Sequence, residues 1–142
     1  MDPERGDGRV RVTSSDVAAA LRTVGVAPGD TAMFHSSLSS MGHVIGGADA
    51  VIDGFLEAVG PEGTVAAPAL CRYEPEERPT AFQNFDPATT PCYVGKIPET
   101  FRRRPDAVRS RHATHSVAAI GARAAELTAN HGAWGLRFCP WG

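Results

Sequence analysis

Residues 34–42 read FHSSLSSMG, so a histidine and four serines follow a short apolar run. An imidazole can take a proton near neutral pH, and hydroxyls with glycine-flanked backbone amides can bind an anion. Because we predict a strand over 31–37, these groups would lie at its carboxyl edge, where ligands of open α/β sheets collect. The alternative from the pattern alone is a polar strand end that caps its own turn.

A second candidate segment, residues 109–121, reads RSRHATHSVAAIG and follows three consecutive arginines at 102–104. Guanidinium groups form forks that match phosphate oxygens. Thr114 and Ser116 add small hydrogen-bond donors where a strand begins. This pattern favours a phosphorylated cofactor lying along a strand edge, and a solvated basic face is the other interpretation.

The two histidines of this segment raise the question of a metal site. His112 and His115 would face opposite sides of a strand or neighbouring turns of a helix. Zinc sites use at least three protein ligands, so His35 or His43 would have to complete the set through folding. We therefore predict no metal site, and a metal-dependent hydrolase using His35, His112 and His115 stays an alternative.

Charge is distributed unevenly along the chain. The stretch from Arg72 to Asp86 carries two arginines against four carboxylates, whereas the stretch from Lys96 to Arg111 carries six basic residues against two acidic ones. An acidic stretch followed by a basic one suits a site that meets two ligands of opposite sign. Within the acidic stretch, the motif FDPATTP at 85–91 predicts an Asx-type turn at Asp86.

The composition sets the class of protein. The chain has 142 residues and a net charge of −2, which fits one domain and gives no basic footprint for nucleic acid. Three widely spaced cysteines form no C-x-x-C pair, and no apolar run is long enough to span a bilayer. The first ten residues contain no apolar signal region. We expect a cytoplasmic protein without a membrane or nucleic-acid partner.

Apolar periodicity predicts helices that alternate with short buried strands, which is typical of an α/β layered domain. The predicted helices span 13–25, 47–60, 97–104 and 122–131, and the predicted strands span 31–37, 64–70 and 115–121. Residues 1–12 are expected to be a loose arm, and 71–94 a long irregular segment. No G-x-G-x-x-G, Walker or G-x-S-x-G motif occurs.

Five motifs in one order, GDTAMFHSSLSSMG, GGADAVIDGFLEAVGPEGTVAAPAL, FDPATTP, PETFRRRP and RSRHATHSVAAIGARAAELTANH, resemble the aminoglycoside 3-N-acetyltransferase family. The resemblance runs from about Asp30 to His131 and covers the N-terminal part of a family member. It implies an αβα layered sandwich, here C-terminally truncated, as a single domain over 1–142. It also implies acetyl transfer from acetyl-CoA, as co-substrate, to the 3-amino group of a 2-deoxystreptamine aminoglycoside, which confers antibiotic resistance.

The resemblance also assigns roles to single residues. His35 matches an active-site histidine that would take a proton from the attacking amine, and Thr114 would contact the acetyl carbonyl. The residues expected to bind coenzyme A are Ser36, Ser37, Leu38, Ser39, Gly42, Arg109, Ser110, His112, His115, Ser116 and Val117. Because aminoglycosides are polycations, Glu74 and Asp86 are the expected substrate-binding carboxylates.

The end of the chain departs from the family pattern. Family members continue well beyond this point, whereas this chain ends at Gly142 with an atypical tail over 132–142, in which GAWGLRFCPWG has no clear period. Two hypotheses follow: an acetyltransferase, or its N-terminal part, and a truncated non-catalytic remnant that acts as a coenzyme A-binding or oligomerisation module. An incomplete sheet would expose an edge, so a homo-oligomer is also considered.

Overall fold

A computed structural model describes residues 10–131. The helices are α1 Ser14–Thr23, α2 Gly47–Val59, α3 Ala81–Asn84, α4 Lys96–Arg102 and α5 Ala124–Thr128. The strands are β1 Arg11–Val12, β2 Thr31–Met33, β3 His43–Val44, β4 Thr64–Pro68, β5 Val108–Arg109 and β6 Val117–Gly121. Two 3₁₀ turns cover Leu38–Ser40 and Arg78–Thr80.

Four of the strands form one mixed sheet in the order β2-β4-β6-β5. Strands β2 and β4 are parallel, and β6 is antiparallel to both β4 and β5. The two central strands are buried along nearly their whole length, which explains their unbroken runs of alanine, valine and isoleucine. These directions place the carboxyl ends of β2, β4 and β5 and the amino end of β6 at one edge, here called the site edge.

Helices α1 and α2 pack closely against each other beside this sheet. Thr13 and Asp16 form a capping box that begins α1. A Cβ atom on Gly54 would lie 2.6 Å from both the Ser14 carbonyl oxygen and Val17 Cβ, so only glycine permits this approach. The core between helices and sheet contains Phe34, whose ring stacks on Phe55 with centroids 4.3 Å apart.

The predicted α/β layering is confirmed, and several predicted boundaries were too wide. Strand β2 covers only Thr31–Met33 of the predicted 31–37, the residues that pair with β4. The last strand begins only at Val117, and the last helix covers Ala124–Thr128 of the predicted 122–131. The segment predicted as irregular contains the short helix α3.

The prediction of a loose N-terminal arm was wrong at residues 11 and 12. Strand β1 pairs in parallel with β3, and the Val12 carbonyl accepts a hydrogen bond from the Ile45 amide at 2.8 Å. Sequence alone missed this pair because each strand has only two residues and no period. Residues 1–9 of the predicted arm and the predicted tail over 132–142 lie outside the described residues.

Candidate active site

Three chain segments meet at the site edge of the sheet. Residues 34–37 follow β2, residues 69–71 follow β4, and residues 110–116 connect β5 to β6. Neighbouring strands lie ~4.8 Å apart, so β2 and β6 are separated by two spacings, or ~10 Å. The topology therefore gathers the two histidine-bearing motifs of the sequence at one end of the sheet.

The imidazole of His35 is exposed to solvent at this edge. It makes no hydrogen bond or ion pair with any residue in the range 10–131. Next to it, the Ser36 hydroxyl oxygen is buried and has no hydrogen-bond partner among the same residues. A buried hydroxyl without a partner costs about 1–3 kcal/mol, so a ligand that hydrogen-bonds Ser36 would recover this free energy.

The loop after His35 is held by its own serines. The Ser37 and Ser39 hydroxyl oxygens lie 3.1 Å apart, and the Ser40 hydroxyl donates to the Ser37 carbonyl at 2.8 Å. Gly42 has a φ of +76°, a conformation that side chains rarely adopt. The side chain of Leu38 points into the hydrophobic core, so only its backbone is left for a ligand.

The 110–116 segment folds into a corner around His112. The His112 Nδ1 atom accepts hydrogen bonds from the backbone amides of His115 at 3.0 Å and Thr114 at 3.3 Å. The Thr114 hydroxyl lies 2.7 Å from His115 Nδ1. The two histidines thus occupy a turn, and neither the strand nor the helix considered from sequence is present there.

Ser110 and His131 close the corner from the interior. The buried Ser110 hydroxyl accepts from the Val117 amide at 2.9 Å and lies 2.6 Å from His131 Nδ1. Burial lowers the pKa of His131, and the nearby imidazoles of His112 and His115 lower it further. Protonation of His131 is therefore disfavoured in this cluster.

Arg109 points inward from the sheet and is 8 % exposed. Its Nε atom donates to the Ser116 hydroxyl, Nη1 to the carbonyls of Pro87 and Thr90, and Nη2 to the Ala69 carbonyl and the Cys71 sulfur. A guanidinium has five N–H donors, and all five are used inside the protein. The phosphate contact expected for Arg109 therefore has no free donor in this structure.

The side chains of Ser116 and Val117 are also interior. Ser116 has no exposed surface, and its hydroxyl donates to the Ala69 carbonyl at 2.6 Å. Val117 is 3 % exposed and packs against Ala119 and Ala66. Both side chains build the start of β6, whereas Thr114 is the partly exposed hydroxyl of the corner.

The remaining arginines of the basic stretch differ in their surroundings. Arg102 pairs with Glu99 and donates to the Ala88 carbonyl. Arg104 binds Asp49 and Asp53 on α2. Arg103 and Arg111 are exposed and are the two arginines of the predicted phosphate cluster whose side chains face solvent.

The expected acidic residues are exposed, and one of them forms the predicted turn. The Asp86 carboxylate accepts from the Ala88 amide at 2.9 Å and from the Thr89 hydroxyl at 3.0 Å. These hydrogen bonds, the one from Ala88 first, lower the pKa of Asp86. The Asx-type turn predicted from FDPATTP is thus confirmed, and Glu74 is exposed at the start of the preceding turn.

A cavity of about 220 Å³ opens beside Thr114. Its lining residues are Cys71, Arg72, Tyr73, Arg78, Tyr93 and Thr114. The Tyr73 hydroxyl donates to the Ala113 carbonyl at 2.9 Å, and burial raises its pKa to about 12, with Cys71 contributing. Sequence reasoning missed these aromatic residues because they come from an irregular segment without periodicity.

Two negative findings concern the described part of the chain. Over residues 10–131, no group of three histidine, cysteine, aspartate or glutamate side chains is arranged to hold a metal ion. Within the same range, no helix is long and apolar enough to cross a membrane.

Comparison with solved structures defines the class of fold, which is that of aminoglycoside acetyltransferases. The structure superimposes on the acetyltransferase AAC(3)-Xa with a TM-score of 0.75 and 38 % identity, covering 85 % of this chain and 47 % of that one. It superimposes on AAC-IIIb in a binary complex with CoASH with a TM-score of 0.73 and 33 % identity, covering 86 % and 50 %.

The sequence match identifies the family itself. Residues 33–134 match the family Aminoglycoside 3-N-acetyltransferase, and the chain belongs to this family. It is 39 % identical to aminoglycoside N(3)-acetyltransferase VII of Streptomyces paromomycinus, over 90 % of this chain and 49 % of that protein. The chain thus spans about half the length of the curated relatives that it matches, and the resemblance predicted from the motifs is confirmed.

Proposed function

We propose that this chain acts in acetyl transfer from acetyl-CoA to the 3-amino group of a 2-deoxystreptamine aminoglycoside, and so in antibiotic resistance. One observation carries the proposal: the exposed imidazole of His35 stands beside the unsatisfied buried hydroxyl of Ser36 at the site edge. Family membership supports this assignment, and so does the CoASH complex of the similar AAC-IIIb.

The chemistry assigns a role to each of these groups. An aminoglycoside amine is largely protonated near neutral pH and must lose a proton before its nitrogen attacks the thioester carbonyl carbon. His35 would accept that proton. Charge then develops on the carbonyl oxygen, where hydroxyls such as Thr114 and backbone amides can stabilise it. The carbon–sulfur bond breaks, and coenzyme A departs as the thiol once it has gained a proton.

The distribution of charge supports two opposite ligands at this edge. The exposed guanidinium group of Arg111 suits the phosphates of coenzyme A, in place of the enclosed Arg109. The exposed carboxylates of Glu74 and Asp86 suit a polycationic aminoglycoside. Because acetyl-CoA is an intracellular metabolite, we propose that the protein works in the cytoplasm.

Calorimetric titration with coenzyme A and release of free thiol from acetyl-CoA in the presence of kanamycin test the proposal. We expect His35→Ala to reduce turnover at least 100-fold with little change in coenzyme A affinity, because general-base catalysis contributes roughly 10²–10⁴-fold. His43→Ala is the matched control and should retain turnover. If the chain binds no coenzyme A and releases no thiol, the proposed function is wrong.

A further inference from the structure

Arg109 connects the two sides of the candidate active site, and the geometry assigns to it the role of a positioning residue for the transfer reaction. Its guanidinium holds the 86–90 loop, which presents Asp86, against the buried Ser116 at the base of the corner that presents Thr114. The inference rests on the proposed function, in which this loop faces the aminoglycoside and the corner faces acetyl-CoA.

The hydrogen-bond partners of Arg109 include no carboxylate. They are three carbonyl oxygens, one hydroxyl and one sulfur, and the ring of Phe85 lies 5.2 Å from the guanidinium carbon. In the described range, no carboxylate forms an ion pair with it. The cation is therefore buried without a direct ion pair and is tolerated because every N–H group finds an acceptor.

Burial of the Arg109 guanidinium is an inefficient way to stabilise the folded protein. Burying a charge carries a desolvation penalty, which the hydrogen bonds of the charged group must first offset. A buried cation with five directional bonds instead specifies where each acceptor must lie. The arrangement therefore favours a role in geometry over a role in the free energy of folding.

Arginine side chains bind the carbonyl oxygens of the 86–90 loop, whose flanking residues Phe85 and Cys92 are buried. Inside the loop, the Thr90 amide donates to the Asp86 carbonyl at 2.9 Å and the Ala88 amide donates to the Asp86 carboxylate at 2.9 Å. These bonds determine the shape of the loop and not its position. Its carbonyl oxygens accept hydrogen bonds from arginines outside the loop. Arg109 donates to the carbonyls of Pro87 and Thr90, and Arg102 donates to the carbonyl of Ala88.

The same guanidinium also holds the acetyl-CoA side. The Ser116 hydroxyl accepts from Arg109 Nε at 2.9 Å, and the Cys71 sulfur accepts from Nη2 at 3.0 Å. Cys71 and Thr114 both line the 220 Å³ cavity, and the Cys71 amide donates to the Thr114 carbonyl at 2.9 Å. A displaced Arg109 would therefore move the loop and the cavity wall relative to each other.

Two substitutions and one control test this role. Arg109→Met removes the charge and the donors at similar volume, and Arg109→Lys retains the charge with three donors for five acceptors. Arg123→Lys is the matched control, because Arg123 pairs with Glu126 beyond the opposite end of β6. Hydrogen–deuterium exchange of the Ala88 and Thr90 amides reports, without any ligand, whether the loop stays ordered when its anchor is lost, with the Ala119 amide as the reference in the sheet.

We expect Arg109→Met to speed exchange at Ala88 and Thr90 at least tenfold with exchange at Ala119 unchanged. It should raise the KM or Kd for kanamycin at least tenfold. The KM or Kd for acetyl-CoA should change less than threefold, because the corner keeps the bonds from Ser116 to Ala69 and from Cys71 to Thr114. Arg109→Lys should restore part of both effects, and Arg123→Lys should change neither.

If a folded Arg109→Met protein exchanges its Ala88 and Thr90 amides at the wild-type rate, the inference is overturned. It is also overturned if the variants lose affinity only in proportion to their loss of thermal stability. If Arg109→Met fails to fold, the same exchange and affinity measurements on Arg109→Lys test the inference. If the wild-type chain binds neither kanamycin nor coenzyme A, the proposed function fails. Loop exchange then still decides whether Arg109 holds the 86–90 loop in order.

Discussion

Replacing Ser116 with alanine tests whether Arg109 is tolerated because each of its donors is satisfied. The Ser116 hydroxyl is fully buried, accepts from Arg109 Nε at 2.9 Å and donates to the Ala69 carbonyl at 2.6 Å. The carbonyl keeps a donor after the substitution, because Arg109 Nη2 also reaches it at 2.9 Å. The Nε–H group has no second acceptor and would be left unsatisfied.

An unsatisfied buried donor costs about 1–3 kcal/mol, and charged donors lie at the upper end of that range. We therefore expect Ser116→Ala to lower the free energy of unfolding by about 2–3 kcal/mol. A domain of this size loses roughly 3 °C in Tm for each kcal/mol, so Tm should fall by about 6–9 °C.

Urea unfolding followed by circular dichroism at pH 7 measures this loss, with the slope of the transition expected to stay constant. Ser40→Ala is the control: its exposed hydroxyl donates to the Ser37 carbonyl at 2.8 Å, and its loss should cost less than about 0.5 kcal/mol. If Ser116→Ala costs no more than this control, the account of Arg109 as a buried cation that needs all five acceptors is refuted.

Three further predictions concern other parts of the molecule. Gly54→Ala should lower the free energy of unfolding by about 1–3 kcal/mol in urea titrations, since its Cβ would lie 2.6 Å from Val17 Cβ, and a stabilised variant would contradict this. Burial lowers the pKa of His131 in the folded protein below the ordinary histidine value of 6.5. The contribution of His131 to stability is therefore complete above pH 6.5 and is lost as the pH falls through the folded pKa. Urea midpoints between pH 7.5 and 5 should therefore fall more for the wild type than for His131→Gln, and parallel curves would refute the assignment. Tyr73→Phe removes the hydrogen bond to the Ala113 carbonyl and should cost about 0.5–1.5 kcal/mol, measured by the same titration. An unchanged urea midpoint would show that this hydrogen bond does not contribute to the free energy of unfolding.

Local pattern determined the elements and the location of the candidate site. The apolar stripe of α2 and the alanine- and valine-rich strands β4 and β6 follow from periodicity, because side-chain burial repeats with the geometry of each element. The motifs around His35 and Thr114 also pointed to one sheet edge, since strand ends in layered α/β domains meet there. The pattern did not determine the exact ends, because a strand ends where pairing with a neighbour distant in sequence stops, as β2 does at Met33.

Only the tertiary structure decided what each arginine does. Arg109 and Arg111 are two residues apart in sequence, yet the first is enclosed by acceptors from three distant segments and the second faces solvent. The pairing of β1 with β3 and the cavity beside Thr114 likewise depend on residues far apart in the chain. Residue type determines which hydrogen bonds a side chain can make, whereas long-range packing determines whether partners inside the protein already satisfy them.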